Sequence, residues 1–297
     1  MKVYISFKTT DAPHGGGNQF LKCLKNQFIK QGALTLDPAQ ADVILYNGHH
    51  ETPNTIALKN QFPNKKFIHR MDGLQKLYNE PNDIRQDLAI NFNKISDGTI
   101  FQSHWSREKF KEYNFTPSKS TVIHNCADPE IFSPKQKKAS NSKTRLLCTS
   151  WSKNINKGFN FYSLIDQSLD FNKFDFTFIG NKPENIHYEN IKCLPPKTTV
   201  EIADFFKKVD VFVSATIHDC CSNSIIEALS SGVPVLAKNS GGNPELVKQG
   251  GGTFNELEDF LSSLEKIASN IDFYSDNINI KDIREVAQDY IKFFKCI

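Results

Sequence analysis

Residues 218–235 read HDCCSNSIIEALSSGVPV, and they decide how the second half of the chain folds. The apolar run at residues 210–214 comes just before them and predicts a buried strand. Ser222 and Asn223 are both good helix N-caps, and Gly232 predicts the end of the helix that follows them. The stretch therefore predicts a strand, a polar loop and a helix, with the helix N-terminus beside the carboxyl end of the strand.

Short apolar runs alternate with segments of helical period along the whole chain. Strands are predicted at residues 3–7, 43–46, 66–69, 98–101, 121–124, 145–149, 174–179, 210–214 and 233–237. Helices are predicted around residues 20–29, 157–169, 200–208, 223–231, 255–269 and 282–297. Because repeated strand and helix units build parallel sheets covered by helices, we predict an α/β protein with two Rossmann-like domains.

The boundary between the two domains is predicted in a polar segment. Residues 129–143 (PEIFSPKQKKASNSK) contain two prolines and several lysines, which is typical of a linker. We place the N-terminal domain at residues 1–135 and the C-terminal domain at residues 140–280. The last segment, 281–297, predicts a helix with one apolar side, and we expect it to cross back and cover the first domain.

The overall composition excludes several classes of protein. With 39% hydrophobic residues and 24 Phe the chain can build cores, and a net charge of +3 is too small for a protein that mainly neutralises nucleic acid. The seven cysteines form no Cys-x-x-Cys pair, so we predict neither a disulfide framework nor a zinc knuckle. No run approaches the ~20 apolar residues of a membrane span, and we expect a cytoplasmic protein with at most peripheral membrane contact.

The helix that follows Cys221, Ser222 and Asn223 has the chemistry of a nucleotide site. Open α/β sheets bind ligands at the carboxyl ends of their strands, and a helix N-terminus there offers N–H groups and a favourable dipole to a diphosphate. Glu227 lies among apolar residues of the same helix, and its carboxylate can accept hydrogen bonds from the two hydroxyls of a ribose. These four residues are therefore predicted contacts of a nucleotide.

Seven residues separate Asp219 from Glu227. This arrangement resembles the E-x7-E signature of retaining GT-B glycosyltransferases of family 4 (glycosyl transferases group 1), and the sequence up to Gly241 and Gly242 is similar to the family's continuation. The resemblance implies that Glu227 holds the ribose hydroxyls of a nucleotide-sugar donor, that Asp219 contacts the transferred sugar, and that the two glycines line the donor site. Asp219 stands where the family has Glu, and it is taken as a catalytic candidate.

A basic pair near the start of the second domain grips the donor diphosphate in that family. Lys157, followed by glycine, matches one member of the pair. Ser152 occupies the usual place of the arginine, and Lys153 is the candidate to supply the missing charge. A lysine acts on phosphate oxygens as a point charge, without the fork of an arginine.

Two segments of the N-terminal half match the family in order and position. The glycine-rich segment Gly15-Gly16-Gly17 follows the first strand, and we predict that Gly16 and Gly17 contact the donor, with His14 as a further candidate. Arg70 and Asp72 follow the strand predicted at residues 66–69. The resemblance implies that one of this pair contacts the donor sugar or the acceptor, and both are taken as catalytic candidates.

The resemblance also implies the mechanism, which is front-face attack with retention of configuration. The departing diphosphate oxygen takes the acceptor proton, so no side-chain base is required. We therefore expect no cofactor and no metal, the nucleotide sugar being a substrate. His49 and His50 form an adjacent pair, but such pairs rarely bind a metal without further spaced ligands, and we predict no metal site there.

The predicted function is transfer of a hexose-like sugar from a nucleotide-diphosphate sugar to a glycan, lipid-linked or other hydroxyl acceptor. Nucleic acid is not an expected partner, and the sequence is silent on oligomeric state. Two alternatives remain open. A nucleotide-sugar epimerase of the same architecture would interconvert the free donor. A degenerate binding protein would bind the nucleotide without transfer, and the departures from the family pattern at Asp219 and Ser152 are consistent with this second alternative.

Overall fold

The computed structural model of the chain describes residues 1–9, 16–134 and 143–297. His14 and Gly15, and residues 135–142 of the predicted linker, lie outside the described residues. The described residues form two parallel sheets with helices between the strands, which confirms the α/β class. They divide into two compact units, one of Met1–Asn125 with Lys281–Ile297 and the other of Cys126–Ile280.

The first unit contains a sheet of five parallel strands. Its strands are β1 (Val3–Ser6), β2 (Val43–Asn47), β3 (Lys66–Arg70), β4 (Gly98–Phe101) and β5 (Ser120–Val122), paired in that order. The helices between them are α1 (Gly16–Lys30), α2 (Thr52–Gln61), α3 (Gln75–Tyr78), α4 (Ile84–Phe92) and α5 (His104–Glu112). Buried residues on these strands, among them Val43, Ile44, Phe67 and Ile100, form its core.

The order in which the chain adds strands to the first sheet reverses at β1. Val3 forms a parallel bridge to Leu34 and also pairs with Val43 of β2, so β1 has a neighbour on each side. Because parallel connections are right-handed, the reversal puts α1 on the opposite face of the sheet from the helices that follow β2, β3 and β4. The carboxyl end of β1 is consequently a topological switch point, where ligands of such sheets bind.

The second unit contains a sheet of six parallel strands. They are β6 (Thr144–Ser150), β7 (Phe174–Gly180), β8 (Lys192–Leu194), β9 (Val211–Ser214), β10 (Val235–Lys238) and β11 (Gly251–Phe254), in the order β11-β10-β9-β6-β7-β8. Its helices are α6 (Phe159–Ser168), α7 (Thr199–Phe206), α8 (Asn223–Ser230), α9 (Asn243–Val247), α10 (Leu257–Ala268) and α11 (Ile271–Asp276). The chain leaves β6 on one side and returns to β9 on the other, so the switch point of this sheet lies between the carboxyl ends of β6 and β9.

The last helix of the chain, α12 (Ile283–Cys296), is part of the first unit. Its N-terminus is capped by the Asp282 side chain in a capping box with Glu285. Tyr290 packs against Phe20 of α1 with ring centroids 6.1 Å apart, and Lys66 of β3 donates to the Phe294 carbonyl. Since Tyr290 and Phe294 are fully buried, and each such side chain contributes about 1.5–3 kcal/mol, this helix is part of the core of the unit.

The predicted strands agree with the observed ones to within two residues at either end, but β8 and β11 were not predicted. Helices α2 to α5 were also not assigned from the sequence. Within the three described ranges, no helix combines the length and the apolar composition that crossing a bilayer requires.

Candidate donor site in the second unit

The loops that follow β6 and β9 lie against each other at the switch point of the second sheet. Gly158 adopts a φ of +83°, and a Cβ there would stand 2.4 Å from the Ala215 carbonyl oxygen. Ile217 donates its backbone N–H to the Asn156 carbonyl at 2.8 Å. The Lys157-Gly158 pair is thus placed beside the end of β9, and only glycine permits so close an approach.

Two of the predicted donor-site residues meet in this position. Lys157 Nζ lies 3.5 Å from Asp219 Oδ2, and each side chain is 19% exposed. Lys153 does not join them, because its Nζ lies 3.5 Å from Glu184 Oε1 in a pair whose side chains are 57% and 94% exposed. Lys157 therefore supplies the partly buried positive charge at the switch point, while Lys153 forms a surface ion pair.

Asp219 is held by both its side chain and its backbone. Its Oδ1 accepts from the Cys221 N–H at 3.1 Å, and its carbonyl accepts from the Gly242 N–H at 2.8 Å. Gly241 has a φ of +65°, and a Cβ there would stand 2.3 Å from the Asp219 carbonyl oxygen. The predicted residues after β9 and β10 are thereby brought together in two loops that contact each other through their backbones.

The N-terminus of α8 lies directly after the loop that contains Asp219. Ser222 is the N-cap, but its side chain makes no cap hydrogen bond and its Oγ lies 3.1 Å from Ser224 Oγ. Ile225, Ile226, Ala228 and Leu229 are buried and anchor the helix in the core. The first-turn N–H groups, with the positive end of the helix dipole, are thus fixed at the carboxyl edge of the sheet.

Glu227 lies on the second turn of α8 and is partly buried. Burial raises the pKa of its carboxyl group to about 8, and no charged partner offsets this effect. Among the residues that the structure describes, none forms a hydrogen bond or ion pair with this carboxylate. A partly buried acid without a partner is destabilising, so its presence favours a role toward a ligand that donates hydrogen bonds.

Asn243 is a residue of this site that sequence reasoning missed. Its side chain is fully buried and donates from Nδ2 to the carbonyls of Thr216 and Lys238, at 3.0 and 3.1 Å. It thereby ties the loop after β9 to the end of β10. Its position at the first residue of α9, directly after Gly242, was the signal available in the sequence.

Arg70 and Asp72 form the centre of a polar cluster in the first unit. Arg70 is fully buried, and its two terminal nitrogens donate to Asn47 Oδ1 at 2.5 Å and to Asn125 Oδ1 at 2.6 Å. Asn47 Nδ2 in turn donates to both carboxylate oxygens of Asp72, at 3.0 and 3.1 Å. Burial alone would raise the pKa of Asp72, but His50 and Arg70 together lower it, so this carboxyl is ionised at neutral pH.

The start of α1 lies beside this cluster. A Cβ at Gly17 would stand 3.9 Å from Asp72 Oδ1 and 4.0 Å from Asn47 Nδ2. The structure thus brings Gly17, Arg70 and Asp72 together at the switch point of the first sheet. Asn47 and Asn125 were not predicted, although Asn47 ends a strand and could have been found by the argument that selected Asp72.

Comparison with known proteins finds a similarity within the second unit. Residues 147–270 match the family model described as glycosyl transferases group 1. The matched segment is similar to glycosyl transferases group 1. It contains every residue of the candidate donor site discussed in this unit, from Lys153 to Asn243. No curated protein sequence matches the chain.

The likeness to solved structures covers nearly the whole length of the chain. HepE from Anabaena, in complex with UDP and glucose, has a TM-score of 0.72 at 14% identity, with 100% of each chain covered. The lipopolysaccharide outer core galactosyltransferase WaaB has a TM-score of 0.70 at 9% identity, covering 100% of this chain and 99% of that one. Sucrose-phosphate synthase from Thermosynechococcus elongatus has a TM-score of 0.65 at 12% identity, covering 96% and 78%. At these identities the likeness establishes the GT-B fold.

Proposed function

We propose that this chain is a retaining glycosyltransferase that uses a nucleoside diphosphate sugar as donor and a hydroxyl group of a glycan or lipid-linked molecule as acceptor. The observation that carries the proposal is the position of Lys157, Asp219 and Glu227 around the N-terminus of α8. This combination offers one cation, one sugar-binding acid and one ribose-binding acid at the point where α/β sheets bind nucleotides.

The diphosphate of the donor is assigned to Lys157 and the first turn of α8. A charge-assisted hydrogen bond from Lys157 contributes about 1.5–3 kcal/mol, and the helix dipole adds about 0.3–1 kcal/mol. Together they stabilise the negative charge that develops on the diphosphate as the bond to the sugar breaks. A donor site of this kind supplies positive charge from the protein itself, so the proposed mechanism uses no metal ion.

Glu227 is assigned to the ribose. Its carboxylate has no partner among the described residues, and two vicinal hydroxyls can donate to its two oxygens. Hydrogen bonds from these hydroxyls favour the ionised carboxylate and offset the burial that raises its pKa to about 8.

Asp219 is assigned to the hydroxyls of the transferred sugar. Its Oδ1 is turned toward the Cys221 N–H and its Oδ2 toward Lys157, so a sugar hydroxyl and the ammonium group share the second oxygen. In the proposed reaction the acceptor oxygen attacks the anomeric carbon from the face that the diphosphate leaves. The acceptor proton passes to the departing diphosphate oxygen, and the products are the glycoside and the nucleoside diphosphate.

In the first unit we assign contact with sugar to Asp72 and a positioning role to Arg70. Arg70 is fully buried among Asn47, Asn125 and the Phe20 ring, which its guanidinium approaches to 4.8 Å, so it cannot reach a ligand directly. Asp72 is 19% exposed and ionised. The glycines at the start of α1 allow a sugar to approach Asp72 closely.

The identity of the donor base and sugar is best tested first with uridine nucleotides, because HepE has been solved with UDP-glucose. We expect UDP and a UDP-hexose to raise the melting temperature of the protein. Glu227→Gln should abolish this shift, whereas Glu189→Gln, in an exposed loop, should leave it unchanged. Donor turnover that depends on an added acceptor would then support transfer.

The two alternatives give different results in the same experiment. A degenerate binding protein would show the thermal shift without any turnover, and an epimerase would convert the UDP-hexose with no acceptor present. Absence of a shift with every nucleotide sugar tested would contradict the assignment of Lys157, Asp219 and Glu227 to a donor site.

A further inference from the structure

The two histidines that follow β2 lie next to Asp72 of the polar cluster. His49, His50 and Asp72 each offer one ligand atom, and these atoms lie within 4.8 Å of one another. Sequence reasoning set the histidine pair aside because no third ligand stood at a suitable spacing. The parallel pairing of β2 with β3 supplies that ligand from the neighbouring strand end, 22 residues along the chain.

The spacing of His50 and Asp72 fits a shared metal as well as it fits a weak direct hydrogen bond. His50 Nε2 lies 3.4 Å from Asp72 Oδ2, longer than a good N–H···O bond of about 2.7–3.2 Å. Two ligand atoms at about 2.0–2.1 Å from a tetrahedral zinc ion stand roughly 3.4 Å apart. The ring centroids of His49 and His50 are 4.3 Å apart and tilted by 31°, so both rings border the same space.

The surroundings hold these ligands in place. Gly48 has a φ of +51°, and a Cβ there would stand 2.2 Å from Asp72 Oδ2, so only glycine lets the turn approach the carboxylate. Asn47 orients Asp72 through two hydrogen bonds, and the Phe7 ring meets the His50 ring edge-on at 5.5 Å. Oriented ligands with hydrogen-bonded second partners are typical of metal sites in proteins.

His49 provides an independent indication. Its Nδ1 is buried and has no hydrogen-bond partner in the part of the chain that the structure describes. A buried imidazole nitrogen without a partner destabilises the folded protein, and a bound metal or another ligand would remove this cost. Exposed acids often cluster without an ion, but two imidazoles beside an oriented carboxylate match the preferences of zinc-like ions.

We propose that His49, His50 and Asp72 bind one transition-metal dication of the zinc type. Three protein ligands leave a fourth position open to water or to an oxygen of a small ligand. The ion takes no part in the proposed transfer step. Because it occupies Asp72, it competes with the sugar contact that we assign to that residue, so bound metal is expected to inhibit transfer.

The proposal is tested by titrating tag-free, chelator-treated protein with ZnCl2 in a calorimeter, and with Co²⁺ to record the visible bands of the coordinated ion. We expect one ion per chain and a tetrahedral Co²⁺ spectrum. His50→Ala and Asp72→Asn should each weaken binding by at least about tenfold, and Asn47→Ala by about tenfold through loss of the oriented carboxylate. His104→Ala, on the exposed surface of α5, serves as the matched control and should bind as the wild type does.

Equal affinity in the wild type, His50→Ala and Asp72→Asn would overturn the proposal and assign the binding to an adventitious ion only. His50 is exposed, so His50→Ala is expected to fold even if Asp72→Asn does not. Metal binding is measured without nucleotide, which separates this proposal from the proposed function. Glu227→Gln should lose nucleotide and keep the metal, whereas His50→Ala should lose the metal and keep nucleotide.

Discussion

The ammonium group of Lys157 lies 3.5 Å from the carboxylate of Asp219, and this contact joins the loops that follow the two central strands β6 and β9. In the absence of a donor, each group neutralises the other in a partly buried position. A diphosphate would compete with Asp219 for the same cation. The proposed donor site therefore predicts opposite effects on nucleotide binding when either member of this pair is replaced.

Replacement of Lys157 by methionine should weaken UDP binding by about 10- to 100-fold, because one charge-assisted hydrogen bond of about 1.5–3 kcal/mol is lost. Lys153→Met is the matched control, since its Nζ contacts the exposed Glu184, and we expect less than a threefold effect. Calorimetric titration with UDP measures both. Equal losses in the two variants would contradict the assignment of Lys157, in place of Lys153, as the lysine that contacts the diphosphate.

Replacement of Asp219 by asparagine should separate nucleotide binding from transfer. The amide oxygen can still accept from the Cys221 N–H, but Lys157 loses its competing anion, so UDP should bind about two- to tenfold more tightly. Transfer should fall by about 100-fold or more, because the contact with the sugar hydroxyls is altered. Loss of UDP binding in this variant would show that Asp219 supports the loop and has no role toward the sugar.

Binding of a nucleotide should depend on pH through Glu227. Its carboxyl has a pKa of about 8 in the free protein, and ribose hydroxyls favour the ionised form. UDP affinity should therefore rise as pH increases from 6 toward about 8 and then level off, with proton uptake by the buffer during binding at pH 7. Titrations of the wild type in two buffers of different ionisation enthalpy measure this, and a UDP affinity that stays constant from pH 6 to 8 with no proton release would contradict the assignment.

The same carboxyl should lower the stability of the protein at alkaline pH. Its folded pKa of about 8 lies above the value of 4.5 of an exposed glutamate, so its favourable contribution is fully present below pH 4.5 and is lost as pH rises through 8. Glu227→Gln removes this dependence and should melt at a higher temperature than the wild type at pH 8. A lower melting temperature would mean that the Glu227 carboxylate makes stabilising contacts in the folded protein.

Gly241→Ala should destabilise the protein more than Gly32→Ala. Both glycines have a φ near +65°, which costs an alanine about 1–2 kcal/mol, but nothing lies within 4 Å of a Cβ at Gly32. At Gly241 the Cβ would strike the Asp219 carbonyl, and relief of that clash costs about 1–3 kcal/mol more. Urea unfolding of both variants isolates the cost of the clash. Equal losses would show that the two loops separate easily.

The sequence by itself determined the α/β class, most strand positions and the region of the candidate donor site. This was possible because α8, its N-cap and Glu227 lie within one continuous stretch, where helical period and cap chemistry are local properties. Strands β8 and β11 were not predicted, and the reason is equally local. Cys193 of β8 is exposed, and β11 begins with two glycines, so neither strand shows the apolar alternation of a buried strand.

Only the tertiary structure decided which distant residues meet. Lys157 and Asp219 are 62 residues apart, and their contact follows from the reversal of strand order between β6 and β9. The burial of Arg70, on which its proposed positioning role rests, depends on its contacts with Asn47, Asn125 and Phe20 of α1. The metal proposal likewise required the pairing of β2 with β3 to bring Asp72 to His50. Strand order and register determine which side chains lie close together across a sheet. Both depend on the packing of the whole unit, so a local pattern of residues cannot predict them.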